Sequence, residues 1–330
     1  MRGKPSRIAR SLSLGLPKAR PEGSIRATIS ANPMEATMAG GSQIGVFAVE
    51  TFGAKNPSPA QQQAMMADAQ AIAASDFNLV MLASMHVHAD GSLWFNETAM
   101  ISSHPPTPSG ELSPNLAPCI EAMKRKPSGS GKVLASFGGG GMCHDNAVGY
   151  WDFLAIQKLI AQYPDPADNP FFQNLQCMFA TYPGIDGFDI DLESYSGYPQ
   201  FTPTLVTIIA WLSRNGHLAT LCPYDAPSFW CDVVKQAQSG GGKVAWVNLQ
   251  NASGGLSEFA APLKDVGVGI GSIVGGLQTD GMSPAEVRSY FDIMKAQYSD
   301  IGGGWLWNLE DFGTKNTAAY ASAVATGLGA

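Results

Sequence analysis

From residue 42 onward the chain alternates, eight times over, between short β-rich apolar runs and segments with helical periodicity. The strand candidates are 44–50, 79–85, 132–137, 187–193, 218–222, 244–249, 272–276 and 304–309. Helical patterns lie between them at 60–74, 113–125, 152–161, 201–214, 228–238, 257–263 and 284–298, with a last one at 317–326. Strands separated by helices pair in parallel, because a parallel neighbour needs a crossover of a dozen residues or more. Several of the strands are apolar almost throughout, as strands covered on both faces must be. Eight such units in about 290 residues match an α/β fold of the (β/α)8 TIM-barrel type, in a single domain over 42–330. The alternative, a doubly wound open sheet, lacks its usual Gly-x-Gly-x-x-Gly turn after the first strand. The Pro-rich stretch His88–Ser113 is a long excursion after the second strand, and barrel function resides on such loops.

Composition agrees with a large buried core. Hydrophobic residues make up 45% of the 330 residues and charged residues only 14%, against about 25% in ordinary soluble domains. No run of 18 apolar residues occurs, so no membrane partner is expected. Charge is unevenly placed. Residues 1–41 hold seven basic and two acidic residues, whereas 42–330 hold 13 basic and 25 acidic, a net −12. That acidic body argues against a nucleic acid partner. The Ser/Arg/Pro-rich residues 1–41 read as a disordered or targeting-like extension; a transit-like peptide, a basic arm and a later start at Met34 or Met38 all stay open. The apolar piece Leu12–Leu16 is too short for a secretory core. The five cysteines, Cys119, Cys143, Cys177, Cys222 and Cys231, form no Cys-x-x-Cys and read as free buried thiols by default, with disulfides among them left open. Oligomeric state is open.

The most informative segment is Asp186-Gly187-Phe188-Asp189-Ile190-Asp191-Leu192-Glu193. Side chains alternate along a strand, so Asp189, Asp191 and Glu193 share one face and Phe188, Ile190 and Leu192 the other. The apolar face suits helix packing, which turns the three acids towards the barrel interior. Acids two residues apart lie about 6.7 Å from one another, close enough to couple. Three like charges in a confined space are costly unless they share protons or find donors. Such a cluster serves proton handling far better than stability, and Glu193 lies at the carboxyl end of the strand, where barrel chemistry occurs.

These residues resemble glycoside hydrolase family 18, the chitinase and endo-N-acetylglucosaminidase family. Its fourth-strand signature D-G-x-D-x-D-x-E is matched throughout by 186–193, with Asp186 and Gly187 as its structural half. Its third-strand S-x-G-G motif is matched by Ser136-Phe137-Gly138-Gly139, and Trp307 stands where the family has the Trp that floors the sugar site. The resemblance implies a retaining, substrate-assisted glycosidase acting on β-1,4-linked N-acetylglucosamine, without metal or cofactor. In that reading Glu193 is the general acid/base, Asp191 positions the acetamido group, and Asp189 shares the proton of Asp191. Ser136, Gly138, Gly139 and Trp307 line the substrate site. It also implies export, although no clear signal peptide is visible.

One position departs from the family. Its sixth strand usually ends in a Tyr that contacts the acetamido carbonyl, whereas this chain reads Trp246-Val247-Asn248-Leu249-Gln250. Asn248 or Gln250 offers an amide instead, and Tyr224, after the fifth strand, is a candidate to compensate from a neighbouring loop. The missing Tyr leaves open a catalytically silent carbohydrate-binding or inhibitor-like barrel, against which stands the retained Glu193. The glycine run Gly138–Gly141 has no following Gly-Lys-Ser/Thr and is no phosphate cradle. His86 and His88 form an H-x-H found also in metal-dependent barrel hydrolases, but no further Lys or His pair completes such a centre. His144 and Asp145 read as ordinary loop polarity.

Overall fold

The computed structural model describes residues 41–103, 105–126, 129–139, 150–193, 199–250 and 252–330. The basic extension up to residue 40, and Cys143, His144 and Asp145, lie outside them. Eight parallel strands close on themselves: β1 (Gln43–Ala48), β2 (Leu79–Val87), β3 (Lys132–Gly138), β4 (Gly187–Asp191), β5 (Leu218–Leu221), β6 (Val247–Leu249), β7 (Ile273–Gln278) and β8 (Gly303–Trp307). Each pairs with its sequence neighbour, and β1 joins both β2 and β8, so the sheet is a (β/α)8 barrel.

Among the described residues ten helices surround it: α1 (Pro59–Ala74), α2 (Leu116–Lys124), α3 (Tyr150–Gln162), α4 (Pro170–Thr181), α5 (Thr202–Arg214), α6 (Pro227–Ser239), α7 (Ala252–Asp265), α8 (Pro284–Gln297), α9 (Leu309–Phe312) and α10 (Thr317–Leu328). Their starts follow local chemistry. Ser58 and Ser283 cap α1 and α8 in reciprocal capping boxes with Gln61 and Glu286, and each cap is followed by proline at the first helical position.

The two strand faces bury separate sets of residues. Phe47, Leu79, Met81, Leu134, Val274 and Trp305 fill the barrel interior, while Val80, Leu82, Val133, Phe137, Phe188 and Ile190 pack outward against the helices. The strand alternation thus explains both layers of the core.

The structure departs from the sequence reading in four places. The excursion after β2 carries strands that the sequence expectations lack: Leu93–Phe95 pairs antiparallel with the end of β2, and Thr98–Ser102 and Thr107–Pro108 add outward from it. Helix α4 has no counterpart in the sequence expectations, although Asn169 caps it and Pro170 opens it. Strand β6 is shorter than the 244–249 expected, with Ala245 still donating its N–H to the Ala219 carbonyl at 2.7 Å. Strand β4 ends at Asp191 rather than Glu193. Its last carbonyl is taken by the Gly139 N–H (2.9 Å) just where β3 ends, so the ladder stops and Glu193 leaves the sheet.

Candidate active site

Strand register builds the site. Asp189 on β4 lies opposite Ser136 on β3 and Thr220 on β5, and Asp191 lies opposite Gly138. Asp189 is wholly buried and Asp191 is 3% exposed. A buried carboxylate must be met by donors. For Asp189 these are the Ser136 hydroxyl (2.9 Å), the Thr220 hydroxyl and the Asn248 amide (2.9 Å). Asn248 is itself held by the Trp246 indole N–H, which donates to its Oδ1 at 2.8 Å. Burial pushes the Asp189 carboxyl above its ordinary range, and the three donors pull it back.

Asp191 is less well served. The Gln250 amide donates to its Oδ1 at 2.7 Å and also reaches the Cys222 carbonyl at 3.2 Å. Burial first, then the negative charges of Glu193 and Asp189, hold Asp191 well above the usual carboxylate range. Among the described residues three donors converge on Asp189, against the Gln250 amide and the Cys222 thiol on Asp191, so burial and like charge act on Asp191 with less to offset them. Glu193 stands two residues beyond the strand, partly open to the barrel mouth. Burial raises its pKa; Gln250 opposes this by a hydrogen bond, and Asp225 adds to it by its charge.

The two glycines of the third-strand motif make room for this cluster. Gly138 (φ +103°) and Gly139 (φ +92°) adopt backbone conformations that side chains disfavour. A Cβ on Gly138 would collide with the Asp191 carbonyl, and one on Gly139 would come within 3.3 Å of Asp191 Oδ2. Gly187 opens β4, opposite Leu134 and Leu218. Asp186, just before it, belongs to the other end of the strand, where it accepts from Lys124 Nζ (2.7 Å) and the Val133 N–H (2.8 Å). It is a brace and stands apart from the cluster.

Of the expected substrate contacts, Trp307 ends β8 at the mouth with its ring 5.1 Å from Phe47, above the more deeply buried Trp305. Tyr224 lies after β5 and is 39% exposed. The structure gives Asn248, Gln250 and Ser136 a different place from the one the sequence suggested. Asn248 and Ser136 are buried and spend their polar atoms on Asp189, and Gln250 spends its amide on the acids. Their first partners are the carboxylates, because an unpaired acid beneath them would cost more than a solvent-facing amide gains.

Sequence reasoning did not bring Thr220, Cys222 or Asp225 to the site, nor Trp246 to its place as the donor that holds Asn248. Thr220 was detectable as a lone polar residue on an otherwise apolar strand. His86 and His88 do not converge: His86 Nδ1 meets Asp152 Oδ2 at 3.0 Å, whereas the His88 ring stacks on Trp94. Cys119, Cys177, Cys222 and Cys231 are free thiols.

No protein-family model matches the chain, and no curated protein matches it. Solved structures do match. A GH18 chitinase from Pseudoalteromonas aurantia aligns with a TM-score of 0.59 at 16% identity, over 87% of this chain and 100% of that one. A GH18 chitinase from the chitin utilization locus of Flavobacterium johnsoniae aligns with a TM-score of 0.55 at 13% identity, over 88% of this chain and 94% of that one. At these identities the likeness establishes the fold, a TIM barrel of the kind seen in GH18 chitinases.

Proposed function

We propose that the protein is a glycosidase that cleaves β-1,4-linked N-acetylglucosamine, in chitin or its oligosaccharides, with retention of configuration and assistance from the substrate. The observation that carries this reading is the geometry of the acid cluster: Asp189 and Asp191 lie buried on one face of β4 among hydrogen-bond donors, and Glu193 follows two residues beyond the strand, partly exposed and linked to Asp191 through Gln250. A general acid must be protonated near its working pH, and burial of Glu193 favours that form.

In this mechanism the acetamido oxygen of the bound sugar attacks the anomeric carbon. The glycosidic bond breaks as Glu193 gives its proton to the leaving oxygen. Asp191 passes its proton to Asp189, accepts the acetamido N–H and, as a carboxylate, balances the charge of the oxazolinium-like ion. Glu193, now a carboxylate, takes a proton from the water that attacks the same carbon, which restores the starting configuration. Trp307 floors the sugar and Tyr224 approaches it from the β5 side. The chemistry calls for neither metal nor cofactor.

A second reading, a silent carbohydrate-binding barrel, is favoured by one observation: no Tyr ends β6, and the amide of Gln250 just beyond it is already engaged with Asp191 and the Cys222 carbonyl. Hydrolysis of chitotetraose separates the two. The expected result is turnover with the β-anomer released first, and a 10²- to 10⁴-fold loss of kcat/KM in Glu193→Gln, about the value of one positioned general acid. Full activity in Glu193→Gln, or initial release of the α-anomer, overturns the proposed mechanism. Binding without turnover establishes the silent reading.

A further inference from the structure

Between α3 and the hairpin that follows β2 lies an open groove of about 590 Å³. Trp94, His88 and Asp90 line one wall, and Trp151, Leu154 and Lys158 the other. The last three follow the helical period, so they form a single stripe down α3, and from Trp151 to Lys158 this stripe runs about 10 Å, close to the length of a disaccharide. The walls are fixed to each other. Asp152, next to Trp151, accepts the Val87 N–H at 2.6 Å and meets His86 Nδ1 at 3.0 Å, which ties the start of α3 to β2. On the facing wall the Trp94 indole donates to the Ser92 hydroxyl (3.0 Å), which donates to Asp90 (2.7 Å).

Trp151 is 48% exposed, and among the described residues only it and Tyr224 are large aromatic side chains left open to solvent. They follow β3 and β5, the two strands that flank the acid-bearing β4. The elements that follow the two neighbours of β4 thus each carry an exposed aromatic, and the one after β3 lines the groove.

We propose that this groove is a second carbohydrate-binding surface, which holds a disaccharide stretch of a β-1,4-linked N-acetylglucosamine chain away from the acid cluster. The proposal rests on the glycosidase reading above. Its chemistry is that of a neutral polyol. The flat C–H face of a pyranose ring covers an indole, which removes apolar surface from water on binding. Asp90, His88 and Lys158 supply an acceptor, a ring nitrogen and an ammonium for hydroxyl and acetamido groups, and their opposite charges offset one another. An anionic polymer would meet the acidic body of the chain.

The test is depletion binding of the full chain to insoluble chitin, in a Glu193→Gln background so that the polymer is not consumed. Trp151→Ala is expected to lower the bound fraction at a fixed chitin load at least fivefold, and Lys158→Ala about twofold. Trp151→Tyr, which keeps a flat ring, should retain most binding and guards against a folding defect. Equal binding by the parent, Trp151→Ala and Lys158→Ala overturns the groove, and if the otherwise wild-type chain still cleaves chitotetraose in a Glu193-dependent way, the glycosidase reading survives that failure. A chain that neither cleaves chitotetraose nor is retained by chitin overturns both.

Discussion

At the residue scale, the behaviour of the site turns on Gln250. Its amide donates to Asp191 and hydrogen-bonds Glu193, and both contacts favour the charged forms of acids that burial pushes the other way. Removing the amide in Gln250→Ala therefore raises both carboxyls further. In the proposed mechanism the acid limb of the pH–rate profile requires an ionised aspartate and the basic limb a protonated Glu193, so both should move to higher pH, with kcat reduced about 10-fold or more. Profiles of kcat/KM for the two enzymes check this; a profile that falls in height without moving sinks the idea. This is also where the sequence stopped being readable. Period-two alternation was enough to place Asp189 and Asp191 on one face of β4, but it did not show that the strand ends before Glu193. It says nothing of which donor reaches which acid, because that depends on register with β3, β5 and β6. Asn248 and Gln250 were thus visible as polar side chains near the site, while their commitment to the carboxylates was not.

At the element scale, the eight strands were legible to within a few residues, because continuous apolar runs bounded by Gly, Pro and Asn have no other stable use in a parallel sheet. The added hairpin after β2 was not. Its strands are two to five residues long and are held by pairing to the end of β2, a tertiary effect that local pattern does not contain. The acid motif itself divides between two elements. Asp189 and Asp191 serve the cluster, whereas Asp186 joins the loop before β4 to α2 and β3 through Lys124 and the Val133 N–H. Lys124 also donates to the Gly184 carbonyl at 3.1 Å, so a single ion pair gathers three segments at the end of the barrel away from Glu193. Asp186→Ala is expected to cost about 1–3 kcal/mol, since it strands a backbone N–H and an ammonium that are both partly buried. Urea midpoints measure the loss. Steady-state kinetics should stay within about twofold of wild type, and a kcat collapse in a folded variant would show that the brace extends to the chemistry.

At the scale of the whole molecule, the acid cluster sets a stability cost that runs with pH. Asp189, Asp191 and Glu193 all titrate above their ordinary range, chiefly because they are buried. Between the ordinary carboxylate range and those raised values, the native protein keeps protons that the unfolded chain has released. With fewer protons bound in the unfolded state, stability falls as pH rises through this window, and the contribution is fully present only below it. Asp191 carries the largest share of the repulsion, because it stands between the other two acids. Asp191→Asn has nearly the same shape but no charge, so it should raise Tm at about pH 7 while activity is lost. That gain should shrink towards about pH 4, where the native acids are protonated and those of the unfolded chain are about half protonated. A wild-type Tm that does not fall across this range, or an Asp191→Asn variant that gains equally at both ends, would show that the cluster is not strained by its own charge. The measured slope also bears on mechanism. Stability surrendered by a native acid cluster at neutral pH is the thermodynamic trace of a proton held where the unfolded chain cannot hold one, and a barrel that keeps Glu193 protonated for catalysis has to show it.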